Sequence, residues 1–377
     1  MSKNILKVGL IKGGQLGRML LEARHGFDIQ VFVMDDDLNC PCRGLCDVFV
    51  QGDCMNFDQV YAFGKQVDLL SFEYEHINID ALKRLQTEGL AVYPDPHILA
   101  IVQDKGTQKE FYRTHQIPTS SFHLVHNREG LKALNVKRPF ILKTCKAGYD
   151  GKGVYKINTV EDLENTFDEP CVVEEYIDFS QEIAVVVARN VRGDIEVYPT
   201  VAMVFHPTKN LVEFLASPAN ITPEVDAEAR RIAIDIALKV ELVGVLAVEM
   251  FVTRDNGVLV NEIAPRVHNS GHHTIEANIT SQFEQHWRAI LGMPLGSAAI
   301  KSSAVMVNVL GSEGFEGKAR YEGIKEAGAL GGVYVHLYGK AITRPFRKMG
   351  HATILDVDID KALQKARLVK EMIKVKA

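Results

Sequence analysis

Long apolar runs are missing from this sequence of 377 residues. A membrane-spanning helix needs roughly 18 apolar residues, and the longest candidate, LVGVLAVEMFV (242–252), is shorter and carries Glu249. Around Lys3, Lys7 and Lys12 there is no apolar signal core and no cleavage site, so a cytoplasmic location is expected. Net positive charge is missing too: 48 acidic residues outnumber 43 Lys and Arg, for a formal charge of −5. Nucleic acid and anionic membranes reward a cationic face, so neither partner is expected and any basic patch needs its own explanation. Internal repeats, low-complexity tracts and long linkers are absent. Cysteine is sparse, yet Cys40, Cys42, Cys46 and Cys54 lie close together. Their spacing lacks the paired CxxC of zinc ribbons, so buried reduced thiols are expected and zinc is the alternative.

What is present is the composition of a folded globular chain, 46% hydrophobic and 24% charged. Its length calls for two or three domains. ILKVGLI (5–11) and IQVFVMD (29–35) read as strands around a helix opened by GGQLGRM, and 68–75 and 90–96 as further strands. Strands alternating with helices imply a parallel sheet with right-handed crossovers. A helical stretch over 101–116 then leads to a smaller α+β region with strands at 139–145, 154–157 and 171–177, sized for a mobile lid. EIAVVVARN, EVYPTVAM and LAVEMFV predict a long antiparallel sheet, followed by a helix near 274–291 and a mixed tail.

Six stretches carry chemistry. Gly13, Gly14 and Gly17 before a helix let a phosphate approach backbone N–H groups, and Asp35 closes the next strand where a dinucleotide's ribose acid would lie. Lys12 stands in place of the first fingerprint glycine, so a packed turn or a different phosphate competes with a dehydrogenase reading. The loop AGYDGKG (147–153) between two strands, preceded by Lys143, suits a triphosphate; an ordinary glycine hairpin is the alternative. Glu174, Glu175 and Glu182 suit an adenine slot with a ribose-binding carboxylate, or equally solvated acids on an edge strand.

Glu249 and Glu262 sit in apolar strands joined by a turn at 254–257, which predicts a hairpin with both carboxylates on one side. Such acids are costly unless paired or metal-bound, and magnesium takes one or two carboxylates plus phosphate oxygens. Asn261 offers a further oxygen, and a salt bridge to Arg266 is the competing use of an acid here. RVHNSGHHTIE (266–276) gathers Arg266, His268, His272 and His273 as an anion-binding loop or, alternatively, a zinc site. Lys340, Arg344, Arg347 and Lys348 concentrate positive charge in an acidic chain, which suits a small phosphate or a solvated loop.

In this order the motifs GGQLGRM, SFEYEH, QDK, KTCKAGYDGKG, VVEEY, NEIAPRVHNSGH and RKMGH resemble the ATP-grasp superfamily. Within it the chain is similar to the N5-carboxyaminoimidazole ribonucleotide synthetases of microbial purine biosynthesis, over nearly its whole length. The resemblance implies an α/β and α+β fold with a Rossmann-like domain (1–100), an ATP-grasp domain (101–296, lid about 115–178) and a C-terminal antiparallel-sheet domain (297–377). It implies ATP cleavage, carboxyphosphate formation from bicarbonate, and carboxyl transfer to the amine of 5-aminoimidazole ribonucleotide. ATP would be held by Lys105, Lys143, Gly148, Tyr149, Asp150, Gly151, Lys152, Gly153, Glu174, Glu175, Tyr176, Ile177, Glu182, His206, Asn261 and Glu262, with two magnesium ions on Glu249 and Glu262. The ribonucleotide would meet Gly14, Gln15, Leu16, Glu73, His76, Tyr149, Lys152, His268, Asn269, Lys340, Arg347 and Lys348. Arg266, Lys143, Tyr149 and Lys152 would be catalytic, and the family suggests a homodimer. Lys12 and Cys145-Lys146-Ala147 depart from the family's usual glycines and arginine, which puts the geometry of the first loop and the flexibility of the lid in question. A formate-dependent glycinamide ribonucleotide transformylase, a non-catalytic nucleotide-binding regulator and a dehydrogenase remain alternatives.

Overall fold

The apolar runs of the first hundred residues become five parallel strands, β1 (Leu6–Ile11), β2 (Ile29–Asp35), β3 (Val48–Gln51), β4 (Leu69–Phe72) and β5 (Ala91–Val92). Their order in the sheet is β3-β2-β1-β4-β5. In the computed structural model, residues 5–146, 153–166, 168–205 and 212–377 are described. Leu16, Met19 and Leu20, spaced on one helical face, bury the helix Gln15–Glu22. Two expected strands are shorter than their apolar text. β4 stops at Phe72, and Glu73 turns toward the glycine loop. β5 stops at Val92, because Pro94 has no N–H for a ladder and Pro96 opens the helix Pro96–Val102, capped by Asp95. The helical stretch expected over 101–116 is divided at Asp104, whose carboxylate accepts from Thr107 N at 3.0 Å and starts a new helix, Lys105–Thr114.

The smaller region is a four-stranded antiparallel sheet of β6 (Phe122–Val125), β7 (Phe140–Thr144), β8 (Val154–Ile157) and β9 (Cys171–Glu175), in the order β6-β9-β7-β8. The strand expected to reach residue 177 ends at Glu175. β9 is internal to this sheet, so Glu174 does not sit on an edge.

The third sheet contains β10 (Phe179–Arg189), β11 (Ile195–Val197), β12 (Val201–Phe205), β13 (Val212–Ser217), β14 (Gly244–Thr253), β15 (Val258–Ala264) and β16 (Ala304–Leu310). The segment EVYPTVAM, expected as one strand, is two, because Pro199 interrupts the ladder between β11 and β12. Two further antiparallel pairs frame the end of the chain: β17 (Gly317–Lys318) with β20 (Ile342–Thr343), and β18 (Arg320–Glu322) with β22 (Lys374–Lys376). Between them β19 (Val333–Leu337) and β21 (Lys348–Leu355) join the third sheet, whose order is β15-β14-β10-β12-β13-β16-β21-β19, with β11 beside β10. The C-terminal strands therefore extend the central sheet through the β13–β16 pair.

The helix expected over 274–291 is also two, Thr274–Ala277 and Gln282–Ile290, separated where Ser281 caps the second by accepting from Glu284 N. That second helix carries the only tryptophan. Trp287 is fully buried among Val8, Leu20, Val186, Val245 and Tyr338, and its Nε1 donates to Leu20 O at 2.7 Å. One core thus joins the parallel sheet, the central sheet and the C-terminal strands. Among the described residues no helix is long and apolar enough to cross a membrane. Trp287→Ala should lower the unfolding free energy by about 3–5 kcal/mol through cavity formation. Urea unfolding followed by circular dichroism tests this; an unchanged midpoint would contradict the bridging role.

Candidate active site

The hairpin of β14 and β15 sets Glu249 opposite Glu262, so the two carboxylates share one face. The register shifts immediately after this pair, leaving Asn261 as the extra residue of a bulge. Glu182 stands on the neighbouring β10, two positions from Ala184, which faces Glu249, and so joins the same face. Burial, then Glu262 and Glu182, push the Glu249 carboxyl up, while Lys348 and Arg266 draw it down. Glu182 is pushed up to about 7 by burial, relieved in part by Lys143. Clustered carboxylates raised in this way are what a bound dication would stabilise in the ionised form. The donor set therefore fits magnesium. Among the described residues no group of three or more His, Cys, Asp or Glu could hold a metal ion, so the remaining ligands would be phosphate and water oxygens.

Above this face Lys143 projects from β7 with its Nζ 2.9 Å from Asn261 Oδ1 and 3.0 Å from Glu174 Oε1. The other oxygen of Glu174 lies 3.1 Å from Lys109 Nζ and accepts from Ser120 Oγ at 2.8 Å. Lys109, itself buried, also donates to Thr119 Oγ1 at 2.7 Å. Burial opposes ionisation of Glu174, but Lys143 and Lys109 outweigh it and hold the carboxyl at about 2. Burial pulls Lys109 down to about 8, against the pull of Glu174.

The loop after β15 is fixed from outside. Gln282 accepts from His268 N at 2.9 Å and donates to His268 O at 2.7 Å. His268 Nε2 lies 3.6 Å from Glu249 Oε1. Burial, Arg266 and Lys348 push the His268 imidazole well below its usual range, so the ring is neutral at pH 7. Arg266 is paired with Glu75, Nη2 to Oε1 2.6 Å, rather than with Glu249 or Glu262. Its Nε is buried and has no partner among the described residues, and the same is true of Asn269 Oδ1. The His272 ring packs at a tilt against His351 with ring centroids 4.8 Å apart.

The first glycine loop holds the protein's own acids. Gly14 N and Gly17 N donate to the two oxygens of Glu73 at 2.8 and 3.3 Å, and Gly13 N donates to Asp35 Oδ2 at 2.7 Å. A Cβ on Gly14 would lie 2.7 Å from Glu73 Oε1, so this approach requires glycine. Burial pushes Glu73 up to about 7, although Gly14 N–H and Arg266 favour its charged form. Lys12 adopts φ 70 and pairs with Asp35 and Asp36. With Asp35 committed in this way, the ribose acid of the dehydrogenase reading is occupied. Cys42 donates to Gly14 O at 3.6 Å, and burial pushes the thiols of Cys40, Cys42, Cys46 and Cys54 up. In the C-terminal basic loop, Lys340 Nζ donates to Lys348 O at 2.8 Å and Arg347 to Ile342 O at 2.6 Å. Burial, then Arg347, pulls Lys340 down to about 8.

Of the residues singled out from sequence, Lys143, Glu174, Glu182, Glu249, Asn261 and Glu262 form one connected cluster. Glu73, Arg266, Lys340 and Lys348 face one another electrostatically beside it. Lys105 opens its helix with its N–H on Cys145 O, Glu175 and Tyr176 are exposed, Ile177 and His76 are half-buried, and Lys156 stands over the Tyr176 ring. Gln15 is half-buried, whereas Leu16 is buried in the core, which leaves only its backbone for a ligand. Gly153 adopts φ 73 at the entry to β8. Gly148, Tyr149, Asp150, Gly151, Lys152 and His206 lie outside the described residues. Sequence reasoning missed Lys109, Ser120, Glu75 and Gln282. Only Glu75, the last acid of SFEYEH, carried a signal there.

Three domain families match in succession. Residues 5–103 match the ribonucleotide synthetase preATP-grasp domain, 110–283 the ATP-grasp domain, and 304–365 the phosphoribosylaminoimidazole carboxylase C-terminal domain. The chain is 34% identical to the N5-carboxyaminoimidazole ribonucleotide synthase of Bacillus subtilis, covering 97% of this chain and 96% of that one. It is 36% identical to the chloroplastic phosphoribosylaminoimidazole carboxylase of Vigna aconitifolia over 92% of its length, but spans only 64% of that longer protein. The crystal structure of the Thermotoga maritima N5-carboxyaminoimidazole ribonucleotide synthetase superimposes with a TM-score of 0.92 at 40% identity, over 99% of both chains. The Aspergillus clavatus N5-carboxyaminoimidazole synthase in complex with ADP and 5-aminoimidazole ribonucleotide gives 0.89 at 30% identity, over 98% of both. The fold is that of an ATP-grasp ligase. More narrowly, the chain belongs to the N5-carboxyaminoimidazole ribonucleotide synthase family.

Glu174→Gln should cost roughly 3–5 kcal/mol of stability at pH 7, because it leaves two buried ammonium groups without their shared carboxylate. The folded-state carboxyl at about 2 lies below its ordinary value of 4.5, so this stabilisation is complete above pH 4.5 and is lost as pH falls toward 2. Urea unfolding of both proteins should show a gap that narrows across that window. A gap independent of pH would refute the ion-pair assignment.

Proposed function

We propose that this chain catalyses the ATP-dependent carboxylation of 5-aminoimidazole ribonucleotide by bicarbonate. The products are N5-carboxyaminoimidazole ribonucleotide, ADP and phosphate, formed by way of carboxyphosphate in de novo purine synthesis. The observation that carries this reading is the Glu249–Glu262 pair beneath the Lys143–Glu174 ion pair, with a separate cationic loop at Lys340, Arg347 and Lys348. One site suits a triphosphate with its metal, and the other suits a ribonucleotide phosphate.

Bicarbonate is a poor electrophile, and phosphorylation gives its carbon a leaving group. Phosphoryl transfer asks chiefly for positioning and neutralisation of charge. Two magnesium ions bound at Glu249 and Glu262 would neutralise the phosphate oxygens of ATP. Lys143 orients the same phosphates from above, while Glu174 to Ile177 and Glu182 receive the nucleoside. Arg266, steered by Glu75 and retaining a buried Nε donor, suits the bicarbonate-derived anion. The mixed anhydride is short-lived in water, which gives the covering sheet of residues 115–178 its purpose as a lid. Gly148 to Gly153, with Tyr149 and Lys152 among them, and His206 complete the nucleotide side in this reading. Glu73, His76, His268 and Asn269 take the ribonucleotide's ring and ribose, and Gly14, Gln15 and Leu16 line its approach. We assign the domains as 1–100, 101–296 and 297–377, the assembly as a homodimer and the location as cytoplasmic.

ADP release with magnesium, bicarbonate and 5-aminoimidazole ribonucleotide tests the reading, with labelled bicarbonate followed into product. Turnover with glycinamide ribonucleotide and formate instead would keep the ATP chemistry and overturn the acceptor. Glu262→Ala should abolish ATP turnover, whereas Lys348→Ala should mainly raise the KM for the ribonucleotide. Wild-type turnover in Glu262→Ala would overturn the metal assignment.

A further inference from the structure

Gln282 is a fully buried polar side chain to which the reading above gives no role, yet its amide is engaged at both ends. Oε1 accepts from His268 N at 2.9 Å and Nε2 donates to His268 O at 2.7 Å, so the amide pairs with that backbone as a neighbouring strand would, while Nε2 also lies 3.5 Å from His272 Nδ1. Two features of the loop are fitted to it. A Cβ on Gly271 would stand 2.4 Å from Gln282 Oε1. Thr274 Oγ1 accepts from Gln282 N at 2.9 Å while donating to Gly271 O at 2.6 Å. The loop 268–274 is closed around this side chain.

The clamp acts on a ring whose direction is set. Ser270 N donates to His268 Nδ1 at 3.3 Å, so Nδ1 is the acceptor nitrogen and the proton of the neutral ring sits on Nε2. Nε2 is the nitrogen that faces Glu249 Oε1 at 3.6 Å. At 3.6 Å the pair is just beyond hydrogen-bond length, so the placement of the ring decides whether Nε2–H reaches this oxygen.

We propose that Gln282 is a positioning residue for the Glu249 carboxylate, acting through His268, whose backbone it clamps and whose ring it presents to that acid. This rests on the reading of Glu249 and Glu262 as the magnesium pair. Gln282 touches no reacting atom; it acts through the carboxylate's orientation.

The test is Mn²⁺ binding to the ADP-loaded protein, read by electron paramagnetic resonance without turnover, in wild type, Glu249→Gln, His268→Ala, Gln282→Met and the His268→Ala/Gln282→Met double variant. Gln282→Met and His268→Ala should each weaken Mn²⁺ binding about tenfold or more. The double variant should be no weaker than His268→Ala alone, because both substitutions remove one interaction. Wild-type affinity in Gln282→Met, or losses that multiply in the double variant, would overturn the positioning role. Should Gln282→Met fail to fold, His268→Ala still decides, since wild-type affinity there removes the link to Glu249. Glu249→Gln separates the two ideas: unchanged Mn²⁺ binding in it would defeat the metal reading itself. Loss of binding there, with Gln282→Met normal, would defeat only the present inference.

Discussion

The carboxylate of Glu174, held between two ammonium groups, is the contact on which the geometry of this site depends. Desolvating a carboxylate costs several kcal/mol, which only close partners can offset. Here Lys109 comes from the helix Lys105–Thr114, Ser120 from the segment that follows it, and Lys143 from β7. Three stretches of chain converge on one strand of the small sheet. Lys143 then reaches Asn261 on β15, which ties the small sheet to the central one. The same contact limits how much positive charge the site offers. Two lysines sharing one glutamate carry a net charge of +1, an oriented but partly neutralised cation.

Opposed to this cation stands a face rich in acid. Glu249 and Glu262 are directly opposite across an antiparallel pair, where like charges are unfavourable. A sheet built only for stability would place apolar residues at both positions, as β14 does on either side of Glu249 with Val248 and Met250. The bulge that follows re-aims Asn261 without disturbing the pairing of the two acids. The local cost of repulsion and the interruption of the ladder fall at one place, beside Lys143, which bridges the sheets. This coincidence is why function explains the cluster better than stability does.

Much of this arrangement was legible in the residues themselves. Two acids inside strands of Val, Leu and Met announce a hairpin with a polar face, because period-two alternation fixes which side chains share a side. The parallel first sheet followed from strands alternating with helices. What escaped was interruption and long-range pairing. EVYPTVAM broke at Pro199, and the helix near 274–291 broke at Ser281, whose value as a cap exceeds its value within a helix. Lys109 sits on the buried face of an otherwise polar helix and is explained only by Glu174, 65 residues later. Gln282 is similar, since an amide that clamps a distant backbone leaves no local pattern. Arg266, weighed as a partner for Glu249 and Glu262, pairs with Glu75 in the loop after β4.

The first glycine loop brings these strands of argument together. Its pattern suggests a phosphate cradle, and its N–H groups are oriented as such a cradle requires. They receive carboxylates from the chain instead: Asp35 from the end of β2, and Glu73 from the end of β4. Where glycine is usual, Lys12 takes a left-handed conformation that costs an ordinary side chain roughly 1–2 kcal/mol. Its ammonium answers that cost by pairing with Asp35, which is almost wholly buried, and with Asp36. The substitution is therefore compensated within the loop, and the backbone path that holds Glu73 survives it. Glu73 in turn feels both Arg266 and Gly14, so the loop holds one acid between the N-terminal sheet and Arg266. A glycine-rich turn can in this way position a carboxylate with the same N–H groups that would otherwise face a phosphate.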